Sequence, residues 1–188
     1  HGDSLGEHGE ITHGDVAYNA SLRIPLILRL PGEEHRIVSR NVSHVDIFPT
    51  VCDILGLKQP AVLQGMSLLP LLRGRSGEDR PIYFESLSPF FNMGWAPITG
   101  FIFKTDKFID SPIPELYDLG KDLDERQNLA AGQNLEDFRK RLGQIVRRQS
   151  SGASDKARQT MDQQTREKLM SLGYLAGRPG AGRAAFSA

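Results

Sequence analysis

His1, His8 and His13 stand in a single stretch, HGDSLGEHGEITHG, together with Asp3, Glu7 and Glu10, and Asp15 follows at once. Imidazole and carboxylate are the side chains that bind metal ions and carry protons. Glycines at 2, 6, 9 and 14 are interleaved with them. Glycine turns the backbone tightly and lets it approach a ligand. So many ionisable groups are costly in a core and suit the rim of a site. The chain opens on His1, without Met or a leader, and the expectation is that the other half of the site precedes it. A glycine-rich loop also loses much entropy on ordering, so residues 1–14 are expected to be short of internal partners.

The elements that must carry this stretch follow it. RIPLILRL, Arg23 to Leu30, is a short apolar run closed by Pro31-Gly32, and reads as a strand buried on both faces of a largely parallel sheet. Arg36 to Val42 reads as a second, polar strand. Val45 to Leu57 reads as a helix with Asp46 at its N-cap and Pro49 at its third position; Ile47, Val51, Ile54 and Leu55 form its apolar face, and Gly56 ends it. GMSLLPLLRG, from Gly65 to Gly74, is a short apolar segment between glycines.

The character changes near Pro81. PIYFES, ITGFIFK and KFIDS are short runs rich in β-branched and aromatic residues, and Glu115 to Leu119 adds a fourth; together they read as an antiparallel sheet. Asn134 to Gln149 reads as a helix, with Asn134 as N-cap, an apolar face of Leu135, Phe138, Leu142, Ile145 and Val146, and Arg147-Arg148 at its C-terminal end. A sheet covered by that helix is a small α+β unit. Beyond Ser150 the sequence is polar and small, with one further helix over 161–175 and a Gly/Ala/Arg-rich end expected to be disordered.

The 188 residues carry 23 Lys and Arg against 23 Asp and Glu, a formal net charge of zero. That balance argues against nucleic acid or an anionic membrane as the main partner. No apolar run approaches the roughly 18 residues that a membrane span needs. Cys52 is the lone cysteine, so no internal disulfide can form, and compartment stays open.

The order and spacing of HGDSLGEHGEITHG, RIPLILRLPG, VDIFPTVCDILGL, GMSLLPLLRG, ELYDL and DLDERQNL resemble the C-terminal half of the sulfatase family, within the alkaline-phosphatase-like superfamily. The likeness runs from His1 to about Leu129, and REKLMSLGYL near the end fits a subset of bacterial members. It implies an α/β fold: residues 1–80 as the C-terminal part of the catalytic sandwich, 81–149 as a small subdomain of antiparallel sheet plus helix, and 150–188 as a mostly disordered tail. The implied activity of the intact protein is hydrolysis of a sulfate ester on a small molecule or carbohydrate.

The same resemblance implies the site. Family members hold a divalent cation, usually calcium, with several carboxylates and a final Asp-Asn or Asp-His pair. His1 matches the second member of that pair. A family Lys or His twelve residues on contacts the sulfate, and His13 matches it. Asp3 falls where members point a side chain at the substrate. The cation neutralises charge and polarises S–O bonds, and a cationic side chain stabilises the charge that builds up. The family nucleophile lies in a C/S-x-P-S/A-R motif that this sequence lacks, since Cys52 is followed by Asp53 and Ile54.

Plainer readings stand beside these. His8 is expected to order the glycine-rich turn through hydrogen bonds. His44 could serve a second metal, or simply open a helix. His35 lies in the charged turn GEEHR and reads as solvated, and Trp95 either lines a pocket or packs. Two rival functions stay open: a phosphatase, phosphodiesterase or phosphonate hydrolase of the same superfamily, and a non-catalytic chain used for binding or as a scaffold.

Overall fold

The structure, a computed structural model, describes residues 1–150 except Glu33 and Ser76. The expected disordered tail and the helix over 161–175 lie outside the described residues. Four strands, β1 (Ile82–Ser86), β2 (Ile98–Phe103), β3 (Asp106–Asp110) and β4 (Glu115–Asp118), form an antiparallel sheet in sequence order. All four coincide with the runs read from the sequence.

Alternation gives the sheet two buried faces. Phe101, Phe108 and Leu116 point to one side, where Leu142 and Ile145 of a long helix, α5 (Glu136–Ser150), and Leu135 just before it cover them. Asn134 caps this helix by accepting the Glu136 N–H at 3.0 Å. Phe101 and Phe108 are fully buried, each stabilising the fold by about 2–3 kcal/mol. Phe84, Ile109 and Tyr117 point to the other side, where Ala17, Tyr18 and Leu22 cover them. Gly100 is required between them: a Cβ there would lie 2.4 Å from Cζ of Phe84 and 2.3 Å from the Phe108 carbonyl oxygen. The segment that begins at His1 is therefore fastened to the sheet face opposite α5.

Residues 1–80 depart from expectation in several places. Arg23 to Leu30 is not a strand. It runs without ladder partners among the described residues, and Ile27 is 89% exposed. Residues 36–42 likewise form no strand, and Ile37 is exposed. A strand exists only through a neighbour's hydrogen bonds, and neither run has a neighbour here. The helix over 45–57 is shorter: a 3-10 turn over His44–Asp46 leads into α2 (Ile47–Ile54), after which Gly56 takes φ 63°.

Asp46 stands at the N-cap position of α2, as read, but makes no side-chain cap bond to it; its carboxylate instead closes a capping box with Ser43, the N-cap of the preceding 3-10 turn. Asp46 sits three residues on, accepts the Ser43 N–H at 2.8 Å and the Met66 N–H at 2.9 Å, and is paired with Arg80. The buried face of α2 is Pro49, Thr50 and Cys52, against a short helix, α3 (Leu69–Leu72). Ile47, Val51, Ile54 and Leu55, read as the helix's apolar face, are exposed. A helix not read from the sequence, α4 (Ser88–Met93), lies between β1 and β2. The remaining short helix, α1, is Asn19–Leu22.

Candidate active site

Residues 1–22 fold as a loop closed by its own backbone. The Ser4 N–H donates to Thr12 O at 2.7 Å and the Gly6 N–H to Glu10 O at 2.9 Å, making a tight hairpin-like turn. Buried Glu10 staples its base, accepting the Asp15 N–H at 2.7 Å and the Ser4 hydroxyl at 3.4 Å. At the tip, the Leu5 N–H donates to Glu7 at 2.5 Å, which holds the Glu7 carboxyl below its usual range. The expectation that residues 1–14 lack partners is thus corrected: glycine's entropy loss is offset by main-chain and carboxylate hydrogen bonds. The Gly2 N–H donates to Ser21 O at 2.8 Å, and a Cβ at Gly2 would sit 2.3 Å from Ala20 O, so only glycine allows this approach.

This closure brings the ends of the loop together. His13 Nδ1 lies 2.5 Å from Asp3 Oδ1. The His1 ring stacks on the His13 ring with centroids 3.7 Å apart, and His1 Nδ1 is 3.1 Å from its neighbour's carbonyl oxygen, Gly2 O. His1, Asp3 and His13 each offer one ligand atom, all within 4.8 Å of one another, on the exposed surface. Asp3 does not simply project outward; its carboxylate orients His13 and leaves Nε2 as that ring's open nitrogen. The three residues named from sequence are therefore neighbours.

His8 does more than order its own turn. It takes φ 53°, stacks on Tyr18 at 3.7 Å, and donates from Nε2 to Asp124 O at 2.9 Å. Beside it, Asn19 donates its N–H to Glu125 Oε2 at 2.5 Å and its side-chain amide to Leu123 O at 3.0 Å. The other oxygen of Glu125 is paired with Lys107 Nζ, both side chains being fully buried. Burial pushes the Lys107 ammonium below its usual pKa, and the Glu125 carboxylate opposes that. Burial, reinforced by a hydrogen bond to Glu115, pushes the Tyr18 and Tyr117 hydroxyls far up. A cleft of about 810 Å³ opens here, lined by His8, Asn19, Arg23, Tyr117, Asp124 and Arg126 among others.

The other candidates lie elsewhere. His44 opens the 3-10 turn before α2 and is outside the His1–Asp3–His13 cluster. His35 is exposed, and Trp95 is exposed after α4 rather than packed. Lys107 and Glu125 escaped the sequence reading. The signal for Lys107 was present: in DKFID it shares a face with Ile109, so alternation points it inward.

The profile of the N-sulphoglucosamine sulphohydrolase C-terminal region matches residues 6–151. A Δ4,5-hexuronate-2-O-sulfatase of Bacteroides thetaiotaomicron is 30% identical over 140 residues, 69% of this chain and 29% of that protein. A solved 2-O glycosaminoglycan sulfatase superposes with a TM-score of 0.61 at 25% identity, over 88% of this chain and 38% of its own. A second solved structure, in complex with its substrate D-glucosamine-2-N,6-O-disulfate, superposes at 0.61 and 25% identity, over 79% and 33%. The chain thus spans about three-tenths of the curated relative's length.

Proposed function

The chain belongs to the sulfatase family, in its C-terminal portion, and from that premise we propose that the protein it serves hydrolyses a sulfate ester on a sugar. The fold is the C-terminal part of the alkaline-phosphatase-like α/β architecture. The observation that carries the reading is the His13–Asp3 contact beside His1, inside the segment where the likeness to sulfatases was read.

In this reading His13 binds the sulfate. Asp3 occupies Nδ1, which fixes the ring and aims Nε2 at a sulfate oxygen. A donor fixed before reaction stabilises the charge that gathers on the transferring group without reorganising. His1 is assigned to a divalent cation. Its Nδ1 faces a carbonyl, which leaves Nε2 as the donor. Imidazoles offer nitrogen, and one carboxylate offers too few oxygens for calcium, which takes six to eight; these residues fit such an ion only as one side of a larger shell. When bound, the cation neutralises the sulfate and polarises its S–O bonds.

The two sulfated-sugar relatives support a carbohydrate substrate. The test is sulfate release by the complete protein from sulfated hexosamines and hexuronates, with 4-nitrophenyl phosphate as the rival. Sulfate release supports the reading, and turnover of the phosphate ester alone overturns it. Among the described residues no helix is long and apolar enough to cross a membrane.

A further inference from the structure

We propose that Glu125 is a positioning residue for this site: held by Lys107, it fixes Asn19 and through Asn19 the backbone that carries His1 and Asp3. The inference rests on reading His1, Asp3 and His13 as the site.

The path is continuous. Lys107 of β3 and Glu125 form an ion pair with both side chains fully buried. Lys107 Nζ also lies 5.3 Å from the Phe84 ring and 5.8 Å from the Tyr18 ring. Glu125 Oε2 accepts the Asn19 N–H at the start of α1. Ser21, in the same turn of helix, accepts the Gly2 N–H, and Gly2 separates His1 from Asp3. Leu123 and Asp124 add tethers to Asn19 and His8, so three consecutive residues hold the loop.

A buried ion pair is weak evidence for stability, because desolvation consumes most of its attraction. Glu125 also takes φ 57°, a left-handed conformation uncommon outside glycine. Such a residue persists where its surroundings over-determine it, and such residues cluster at functional sites. What Glu125 gains there is geometric. One carboxylate oxygen meets the sheet's cation and the other meets the site segment, so the sheet's frame is transferred to the loop.

Two pairs of variants of the 188-residue chain test this. Asn19→Pro removes only the donated N–H and the side-chain amide, while leaving the Lys107–Glu125 pair; proline suits the first helical position, and Tyr18 is already extended at ψ 167°. Asn19→Ala controls for the amide. Lys107→Met with Glu125→Met removes both charges and the acceptor; Lys107→Met with Glu125→Gln restores an acceptor. The readouts are amide exchange at Gly2 and Ser4, amide exchange across β3 as reference, and the ring resonances of His1 and His13.

Positioning requires about tenfold faster exchange at Gly2 and Ser4, with shifted His1 and His13 resonances, in Asn19→Pro and the double Met variant. The β3 amides stay unchanged, and Asn19→Ala and the Gln variant stay near wild type. Unaltered Gly2 and Ser4 in Asn19→Pro overturn the proposal. So does acceleration of β3 equal to theirs, which marks a purely structural pair. If the double Met variant does not fold, Asn19→Pro decides alone. Sulfate release from sulfated sugars by the complete protein separates the two readings: its absence sinks the sulfatase reading and leaves the exchange result standing.

Discussion

Asp3 and His13 lie ten residues apart in sequence, yet Asp3 Oδ1 is 2.5 Å from His13 Nδ1. The contact commits one nitrogen of the ring and frees the other, which turns a loop histidine into an aimed donor.

Replacing His13 by Ala in the complete protein is expected to lower kcat/KM on the order of 10²-fold, as for loss of one transition-state donor. His13→Lys should retain more, since Lys supplies a cation at the same place. The fold should survive both changes because His13 is exposed on a loop. Steady-state kinetics on a sulfated sugar check this, and a His13→Ala enzyme with near-normal kcat/KM contradicts it.

Asp3→Asn keeps the size of the side chain and weakens its hold on Nδ1. The expected loss is about 10- to 100-fold in kcat/KM, the range for groups that orient a functional histidine. Asp3→Asn combined with His13→Ala should cost little more than His13→Ala alone, because Asp3 acts through His13. Additive losses in the double variant would place Asp3 in a separate role.

Phe108→Ala removes a fully buried ring packed on Phe101 and Phe138. It should destabilise the chain by about 3–5 kcal/mol. Urea unfolding followed by circular dichroism measures this. A loss under 1 kcal/mol would mean that α5 does not close that face of the sheet.

Asp122 accepts the N–H groups of Arg126 and Gln127, which holds its carboxyl below the usual range. A carboxyl lowered in the fold stabilises it above the unfolded-state pKa and loses that effect as pH falls through the folded one. The wild-type chain should therefore lose stability below about pH 4. Asp122→Asn should have a lower Tm than wild type at neutral pH, and the gap should narrow toward pH 3. A constant gap across that range would remove Asp122 as the cause.

The strands of the sheet were legible because PIYFES, ITGFIFK and KFIDS are short runs rich in β-branched and aromatic residues with turn signals between them, a composition that suits a pleated, buried surface. Arg23 to Leu30 was misread for the complementary reason: an apolar run announces burial, but a strand needs a partner that the run does not encode. Asp46 was legible as a helix-start residue and not as the acceptor that also binds Met66 and Arg80, since those partners are remote in sequence. α4 was missed because SPFFNM is too short for a helical period to show. His1, Asp3 and His13 were legible as candidates because the stretch is dense in imidazole and carboxylate, and their individual roles came from the resemblance to the sulfatase family. Their anchor at Glu125 was not, because a carboxylate in DLDERQNL looks solvated until Lys107 is placed beneath it.

The sheet is assembled entirely from neighbours in the chain, β1 with β2, β2 with β3 and β3 with β4. The fastenings of the site loop instead join residues 106 and 116 positions apart, Asn19 to Glu125 and His8 to Asp124. Closing so long a span costs entropy that hairpins do not incur. During folding, then, the meander forms early and the site arrives last, on a surface already made. Under rising denaturant the reverse order is expected: the loop that carries His1, Asp3 and His13 comes undone while the sheet persists, so the geometry of that cluster is lost before the fold is.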